Sequence, residues 1–244
     1  MMKKPLNLPG IGFCVASFLG SIISLICIDE PLQFHFFEPF TQKWSISGGE
    51  YVIRLICYHI PKAFFACLIV FLFLKSLFRR GGISEIFTAI FLLLSPISVA
   101  IIKIITGVEC PKDLLHYGGH QPDLPFLESI FKGTGRCFPG GHVSAGFGLY
   151  VALGLLGLEK RVKAFIAITL LGHLMGFYQI ARGYHFISHN LATMGLSYGF
   201  FLAHQYLLKI YQKQGDLFLN RIKTFLKEKF LQNIAVDSNV KRGT

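Results

Sequence analysis

The segment from Ile86 to Ile105 reads IFTAIFLLLSPISVAIIKII, and its only charged residue is Lys103. A helix needs about 20 mostly apolar residues to cross the hydrocarbon core of a membrane, and this segment meets that requirement. Similar runs lie before and after it, which gives six predicted spans: Ile11 to Ile28, Pro61 to Leu77, Ile86 to Ile105, Val143 to Leu158, Ala164 to Ile180 and Leu191 to Ile210. The sequence therefore predicts an all-α integral membrane bundle of six transmembrane helices.

The composition of the whole chain supports the same class. Of 244 residues, 52% are hydrophobic and 15% are charged, whereas soluble domains carry about 25% charged residues. The net charge of +11 would suit a nucleic-acid partner. However, the basic residues lie at the ends of apolar runs, which is typical of membrane topology. We therefore predict that the chain contacts membrane lipids and no nucleic acid.

The first apolar run resembles a signal peptide, because Lys3 and Lys4 precede it. No small-residue cleavage site follows at Ile28 to Pro31, so we interpret it as a retained span. Sixteen of the 24 basic residues fall on one side of the predicted spans: Lys3, Lys4, Lys75, Arg79, Arg80, Lys160, Arg161, Lys163 and the eight from Lys209 onward. The positive-inside rule puts this side, and both termini, in the cytoplasm.

Two parts of the chain are predicted to differ in character. Residues 1–210 form the six-span membrane domain, and residues 211–244 form a basic cytoplasmic tail. Within the tail, the stretch from Leu217 to Leu231 mixes apolar residues with Lys and Arg. Two interpretations stay open, an interfacial amphipathic helix and a solvated basic segment, and the composition slightly favours the first.

Polar residues are concentrated in two regions on the predicted outer side of the membrane. The first region runs from Lys103 to His142, and the second runs from Gln179 to His189. In the second, Arg182, His185 and His189 are spaced three and four apart, which predicts one shared face of a helix. Polar residues at membrane depth are costly and usually mark function.

Three short patterns in these regions resemble the motifs of the type 2 phosphatidate phosphatase superfamily. They are Lys103-x6-Cys110-Pro111, Pro139-Gly140-Gly141-His142 and Tyr178-Gln179-x5-His185-x3-His189. The family motifs read K-x6-R-P, P-S-G-H and S-R-x5-H-x3-D, so the order and spacing agree. The resemblance extends over about Lys103 to His189, looks like a bacterial membrane branch, and implies a six-helix membrane bundle.

Several positions depart from the family pattern. Cys110 and Gln179 stand where the family has Arg, and His189 stands where it has Asp. Gly140 and Tyr178 each replace a family Ser. Two arginines that would hold phosphate are therefore missing, and we predict that Arg136 and Arg182 supply guanidinium groups from shifted positions.

The resemblance implies a catalytic role for each histidine. His185 would be the nucleophile that forms a phosphohistidine, and His142 would protonate the departing oxygen. His189 would accept the hydrogen bond of the nucleophile's other nitrogen, although a neutral imidazole brings no negative charge. Asp113 and Glu109 stay open as alternative sources of a carboxylate.

Phosphate binding is predicted for five residues: Lys103, Arg136, Gly140, Gly141 and Arg182. A transferring phosphoryl group needs cations and N–H donors around its oxygens. The fourth span is predicted to begin near Gly140 and Gly141, where unpaired backbone N–H groups can face the phosphate. Glycine at these positions would let the ligand approach the backbone closely.

Neither a cofactor nor a metal is predicted. Asp113, His116 and His120 have spacings that suit a metal site, but no fourth ligand is identified and such a pattern is weak. Cys110 and Cys137 lie in the same outer loop, and in an oxidising compartment we predict that they form a disulfide. The alternative is two free thiols.

Together these features predict a phosphoric monoester hydrolase that dephosphorylates a lipid at the periplasmic face of a bacterial inner membrane. By resemblance the first candidate is lipid A phosphate. Undecaprenyl diphosphate, phosphatidylglycerol phosphate and phosphatidate stay open. A lipid phosphotransferase would use the same site. A transporter or channel would place ionisable residues along the middle of several spans, whereas here they cluster at outer ends. No oligomeric state is predicted.

Overall fold

The computed structural model describes residues 8–46, 50–78 and 82–240, and this part of the chain is mostly helical. The α-helices in chain order are α1 Leu8–Cys27, α2 Asp29–Phe34, α3 Tyr51–Arg54, α4 Ile60–Phe78, α5 Ile83–Thr106, α6 Phe126–Lys132, α7 Ser144–Gly148, α8 Leu158–Ile180 and α9 Ile187–Val240. A π-helical turn, Leu55–His59, joins α3 to α4. The 3-10 segments are Pro111–Asp113, Leu115–Tyr117 and Leu149–Leu155. A short antiparallel hairpin, β1 Phe37–Glu38 and β2 Lys43–Trp44, departs from the all-α prediction.

Four helical stretches are long and apolar enough to cross a membrane: Leu8–Cys27, Tyr51–Phe78, Ile83–Asp113 and Leu158–Ile180. They overlap the first, second, third and fifth predicted spans. The chain is therefore a helical protein with candidate membrane-spanning segments, as the composition predicts.

The fourth and sixth predicted spans have a different structure from the one expected. The fourth is the short apolar helix Ser144–Leu155, in which the α-helix ends at Gly148 and a 3-10 segment continues to Leu155. The sixth lies within α9, a helix of 54 residues that packs against α1, α5, α7 and α8. A helix surrounded by protein does not need an apolar surface all round, which explains the weaker hydropathy of this segment.

Hydrogen bonds between α5 and α9 hold the centre of the bundle together. The hydroxyl oxygens of Ser95 and Ser197 lie 3.2 Å apart, and the Thr88 hydroxyl lies 3.1 Å from Nε2 of His204. All four side chains are fully buried. Around them packs an apolar core that includes Phe65, Leu72, Leu92, Phe147, Tyr150 and Met175.

The last helix continues without a break across the predicted boundary at 210, because α9 runs from Ile187 to Val240. The amphipathic character of the tail stays a prediction. Lys3, Lys4, Arg79 and Arg80, which contribute to the predicted orientation, lie outside the described residues, as do residues 241–244.

The short helix α2 ties together the two ends of the loop between α8 and α9. Gln33 donates from Nε2 to the carbonyl oxygen of Ile180 at the end of α8 (2.9 Å). The buried carboxylate of Asp29 accepts from the backbone N–H of Ser188 (3.0 Å) and from its hydroxyl, and so caps the first turn of α9. Residues 181–186 are therefore held at both ends, and this loop carries the candidate nucleophile.

Candidate active site

Two histidines from distant parts of the chain meet where α7 begins and where the loop between α8 and α9 ends. Nδ1 of His142 lies 2.9 Å from Nε2 of His185, at hydrogen-bond distance. His185 is 1% exposed, whereas His142 is partly exposed. The pair thus joins the buried ring of His185 to the ring of His142, which is partly exposed to solvent.

The protein environment keeps both histidine rings neutral. Burial lowers the pKa of His142 to about 4, and the positive charges of Lys62, Lys103 and Arg182 act in the same direction. Burial also lowers the pKa of His185 well below its ordinary value, with smaller contributions from His189, His142 and Lys103. A neutral imidazole keeps one nitrogen lone pair, which is the form a nucleophile needs.

Three cations converge on the His142 side of the pair. The side chain of Lys103 lies directly beside Gly141, because a Cβ built on this glycine would be only 3.0 Å from Nζ of Lys103. Arg182 lies over the rings of Tyr184 and Tyr178, with its central carbon 4.7 and 5.2 Å from the two ring centroids. These contacts hold the guanidinium by cation–π attraction while leaving its N–H groups able to bind an anion.

The third cation, Lys62, was not among the residues predicted from the sequence. Its Nζ lies 4.0 Å from the ring centroid of Tyr58, and that ring lies 5.3 Å from the ring of His142. The π-helical turn before α4 carries Tyr58. The available signal was a lysine just inside a predicted apolar span, because a charge at that depth requires a partner or a function.

The spacing of Arg182, His185 and His189 was interpreted as one face of a helix, and that interpretation is wrong. Helix α8 ends at Ile180 and α9 begins at Ile187, so Arg182 and His185 lie in the loop. Gly183 has φ +69°, a conformation that L side chains rarely adopt, and the ring of Trp44 occupies the place where its side chain would be. Both residues nevertheless lie near His142, because Nε2 of His185 is 2.9 Å from Nδ1 of His142 and the charge of Arg182 lowers the pKa of His142.

Two of the predicted phosphate ligands lie in other surroundings. The N–H of Gly140 donates to the carbonyl of His189 (2.9 Å), and the carbonyl of Gly140 accepts from the hydroxyl of Thr193 (3.0 Å). This N–H is therefore not free for phosphate, contrary to expectation, and it fastens the second motif to α9. Arg136 is exposed and is not among the charges that shift the pKa of His142.

His189 does not hold the second nitrogen of His185. It is 0% exposed, its ring centroid lies 5.7 Å from that of His185, and neither of its nitrogens has a hydrogen-bond partner among the described residues. The alternative carboxylates also have other contacts. Glu109 accepts from the hydroxyl of Thr134 (2.9 Å), and Asp113 lies 3.3 Å from Nζ of Lys112.

Cys137 takes the place beside Nδ1 of His185, with its Sγ 3.3 Å from that nitrogen. Cys137 and Cys110 are joined in a disulfide, and their Cα atoms lie 5.1 Å apart. The bond links the end of the first motif to the start of the second. Both motifs are consequently held close to His185.

The predicted alternative metal ligands do not converge. Asp113 pairs with Lys112, and Nδ1 of His116 lies 3.8 Å from Oδ2 of Asp123. Within the described ranges, the one group whose ligand atoms converge is Cys137, His185 and His189. Its sulfur belongs to the disulfide and offers no thiolate, so this set does not fit a divalent ion.

Comparison with known families agrees with the geometry. The family model described as the PAP2 superfamily matches residues 84–213, which is more than half of the chain and includes all three motifs. No curated protein and no solved structure matches the sequence. The match, together with the motif residues that meet around the His142–His185 pair, shows that this membrane protein belongs to the PAP2 superfamily, whose members are phosphatases.

Proposed function

We propose that the chain is a membrane lipid-phosphate phosphatase that works through a phosphohistidine on His185. The observation that carries this proposal is the His142–His185 pair, with 2.9 Å between the facing nitrogens and three cations beside it. Phosphoryl transfer is catalysed mainly by positioning and by charge stabilisation around the phosphoryl oxygens. Lys62, Lys103 and Arg182 supply that charge.

The reaction runs in two steps. Nε2 of His185 attacks phosphorus, the bond from phosphorus to the lipid oxygen breaks, and His142 gives its proton to that oxygen. The approaching phosphate carries nearly two negative charges, and these raise the lowered pKa of His142, so that it binds the proton that it later donates. In the second step, His142 takes a proton from a water molecule as the water oxygen attacks phosphorus. The bond between phosphorus and Nε2 breaks, its electron pair returns to His185, and inorganic phosphate leaves.

A lipid substrate is supported by the position of the site. Lys103 is in the last turn of α5, a stretch apolar enough to span the bilayer. A phosphate bound there would lie at the depth of lipid headgroups, with the hydrocarbon of its lipid beside the bundle. We keep lipid A phosphate as the first candidate, with undecaprenyl diphosphate, phosphatidylglycerol phosphate and phosphatidate as the others.

The proposal includes a topology. Ser144–Leu155 and the first half of α9 would complete a six-span bundle with both termini in the cytoplasm. The distribution of basic residues supports this orientation, with 16 of 24 on the proposed cytoplasmic side. The site would then open to the periplasm at the outer face of a bacterial inner membrane.

Phosphate release from a panel of lipid phosphates tests the proposal. Purified protein in detergent is expected to release phosphate from at least one lipid, with full activity in excess EDTA because the protein supplies the nucleophile and the cations. Water-soluble phosphate esters serve as the comparison class. Release from soluble esters alone would contradict the lipid substrate, and activity that needs a divalent ion would restore Asp113, His116 and His120 as candidate ligands.

A further inference from the structure

A nucleophilic imidazole must carry its proton on the correct nitrogen. A neutral histidine has one N–H and one lone pair, so attack by Nε2 requires the proton of His185 to be on Nδ1. A hydrogen-bond acceptor beside Nδ1 normally fixes this choice. The family motif has an Asp where this chain has His189, and His189 makes no hydrogen bond with His185.

The atom found beside Nδ1 of His185 is the sulfur of Cys137, at 3.3 Å. Both residues are buried, with exposed fractions of 1% for His185 and 0% for Cys137. A disulfide sulfur has no hydrogen, so it can only accept, and the N–H must belong to His185. The backbone carbonyl of Cys137 also acts on this ring and favours its protonation.

The opposite side of the ring agrees with the same tautomer. Nε2 of His185 lies 2.9 Å from Nδ1 of His142. If His185 carries its proton on Nδ1, its Nε2 accepts from the N–H of His142. This hydrogen bond must open when a phosphoryl group approaches the lone pair of Nε2.

We propose that Cys137, held in the disulfide with Cys110, is the positioning residue that fixes the Nδ1–H tautomer of His185. It takes over, with an uncharged sulfur acceptor, the orienting task that a carboxylate has in the family pattern. The inference rests on the proposed function for the catalytic use of Nε2. The tautomer itself is measurable without any turnover.

Three variants that all lack the disulfide separate orientation from mere cross-linking. Cys110→Ala leaves the sulfur of Cys137 as a thiol, Cys137→Ser leaves a hydroxyl, and Cys137→Ala leaves neither. The S–H or O–H can donate to the carbonyl oxygen of Tyr184, which lies 2.7 Å from the sulfur, so a lone pair stays available to Nδ1 of His185. We expect the kcat values of Cys110→Ala and Cys137→Ser to be similar to each other. Cys137→Ala should fall about tenfold or more below both, the usual cost of losing an orienting partner.

The direct readout is the ¹⁵N NMR spectrum of histidine-labelled full-length protein in detergent, with the His185 signals identified by their loss in His185→Gln. Wild type, Cys110→Ala and Cys137→Ser should show Nδ1 of His185 protonated and Nε2 unprotonated. Cys137→Ala should show a mixture of tautomers. If Cys137→Ala does not fold, Cys137→Val fills the buried volume without accepting a hydrogen bond and allows the same comparison.

Equal kcat losses in all three variants, or an unchanged His185 tautomer in Cys137→Ala, would overturn the proposal and reduce the disulfide to a cross-link. An inactive wild-type protein would contradict the phosphatase function. The NMR comparison would still decide whether Cys137 sets the tautomer, so the two failures are distinguishable.

Discussion

The two sides of the His185 ring have opposite character. On the Nε2 side lie His142 and the three cations Lys62, Lys103 and Arg182. On the Nδ1 side lie Cys137 and the fully buried His189, whose ring in turn contacts the rings of Phe138 and Phe186. The Nε2 side can bind a phosphate with two negative charges, whereas the Nδ1 side provides no negative charge to the ring.

This difference determines how the site must work. Without a carboxylate at Nδ1, the ring is not stabilised as a cation, and burial keeps the pKa of His185 low. The neutral ring is ready to attack at mildly acidic pH. The phosphohistidine that forms carries positive charge that no carboxylate offsets, so we expect it to be a reactive, short-lived intermediate.

Apart from the loss of the nucleophile itself, the largest effect is expected from the loss of the residue that protonates the leaving group. His142→Gln should lower kcat/KM for a lipid phosphate by about 10² to 10⁴, the usual contribution of a general acid. The loss should be much smaller for p-nitrophenyl phosphate, whose leaving group needs no proton. His120→Gln, which changes an exposed histidine of the same outer region, is the matched control. Equal losses on both substrates would show that His142 is not the acid.

A loss of about 10² is expected from Lys103→Met, because removal of one preorganised charge from a transferring group has a cost of that order. Arg136→Met removes a cation that is exposed and lies outside the group acting on His142. It should change kcat/KM less than twofold. Steady-state kinetics of the two variants tests which cations surround the phosphate, and a reversed order would move Arg136 into the site.

A smaller loss, about tenfold, is expected from Arg182→Lys. Lysine keeps the charge but cannot make the planar two-pronged contact with phosphate or stack as well on Tyr184 and Tyr178. Gln179→Ala should cost less, because the side chain of Gln179 brings no positive charge to the phosphate. If kcat/KM falls further in Gln179→Ala than in Arg182→Lys, the guanidinium is not a phosphate ligand.

The smallest expected effect is on the pH dependence of kcat/KM in the wild-type protein, on the acidic side of the profile. An ordinary histidine nucleophile becomes protonated near pH 6.5, but the lowered pKa of His185 keeps the ring neutral below that pH. With p-nitrophenyl phosphate, whose leaving group needs no proton from His142, the acidic limb of kcat/KM should therefore show only the second ionisation of the substrate phosphate, at or below about pH 6. An additional ionisation that belongs to the enzyme in this pH range would show that His185 becomes protonated there and would contradict the account.

Restoring the family residue makes the same test stronger. His189→Asp places a carboxylate beside His185, which favours the protonated ring and raises its pKa. The acidic limb should then become steeper and move to higher pH. His189→Asn, with the same shape and no charge, should keep the wild-type limb.

The sequence predicted which residues meet around the His142–His185 pair but not how they meet. Lys103, His142 and His185 follow from motif order and spacing, and they meet because Lys103 is near the end of α5, His142 just precedes α7, and His185 lies between α8 and α9. The loop at Gly183 was missed, because a three-and-four spacing is also compatible with a turn that holds φ +69°.

Long-range contacts could not be predicted from spacing at all. Lys62 joins the cation group through the packing of α4, and Asp29 caps α9 across 159 positions of sequence. Likewise, the pairing of Cys110 with Cys137 was expected, but the contact between its sulfur and His185 depends on side-chain directions. Such contacts arise only when the bundle is assembled.

Trapping the intermediate tests the central claim most directly. His142→Gln with p-nitrophenyl phosphate should form the phosphohistidine without needing an acid and hydrolyse it slowly for lack of a base. After quenching in alkaline denaturant, peptide mass spectrometry is expected to find one phosphoryl group, on His185. The double variant with His185→Gln should carry none, and His185→Gln alone should lose at least about 10³ in kcat while remaining folded. Continued turnover by folded His185→Gln, or a phosphoryl group on another residue, would contradict the mechanism.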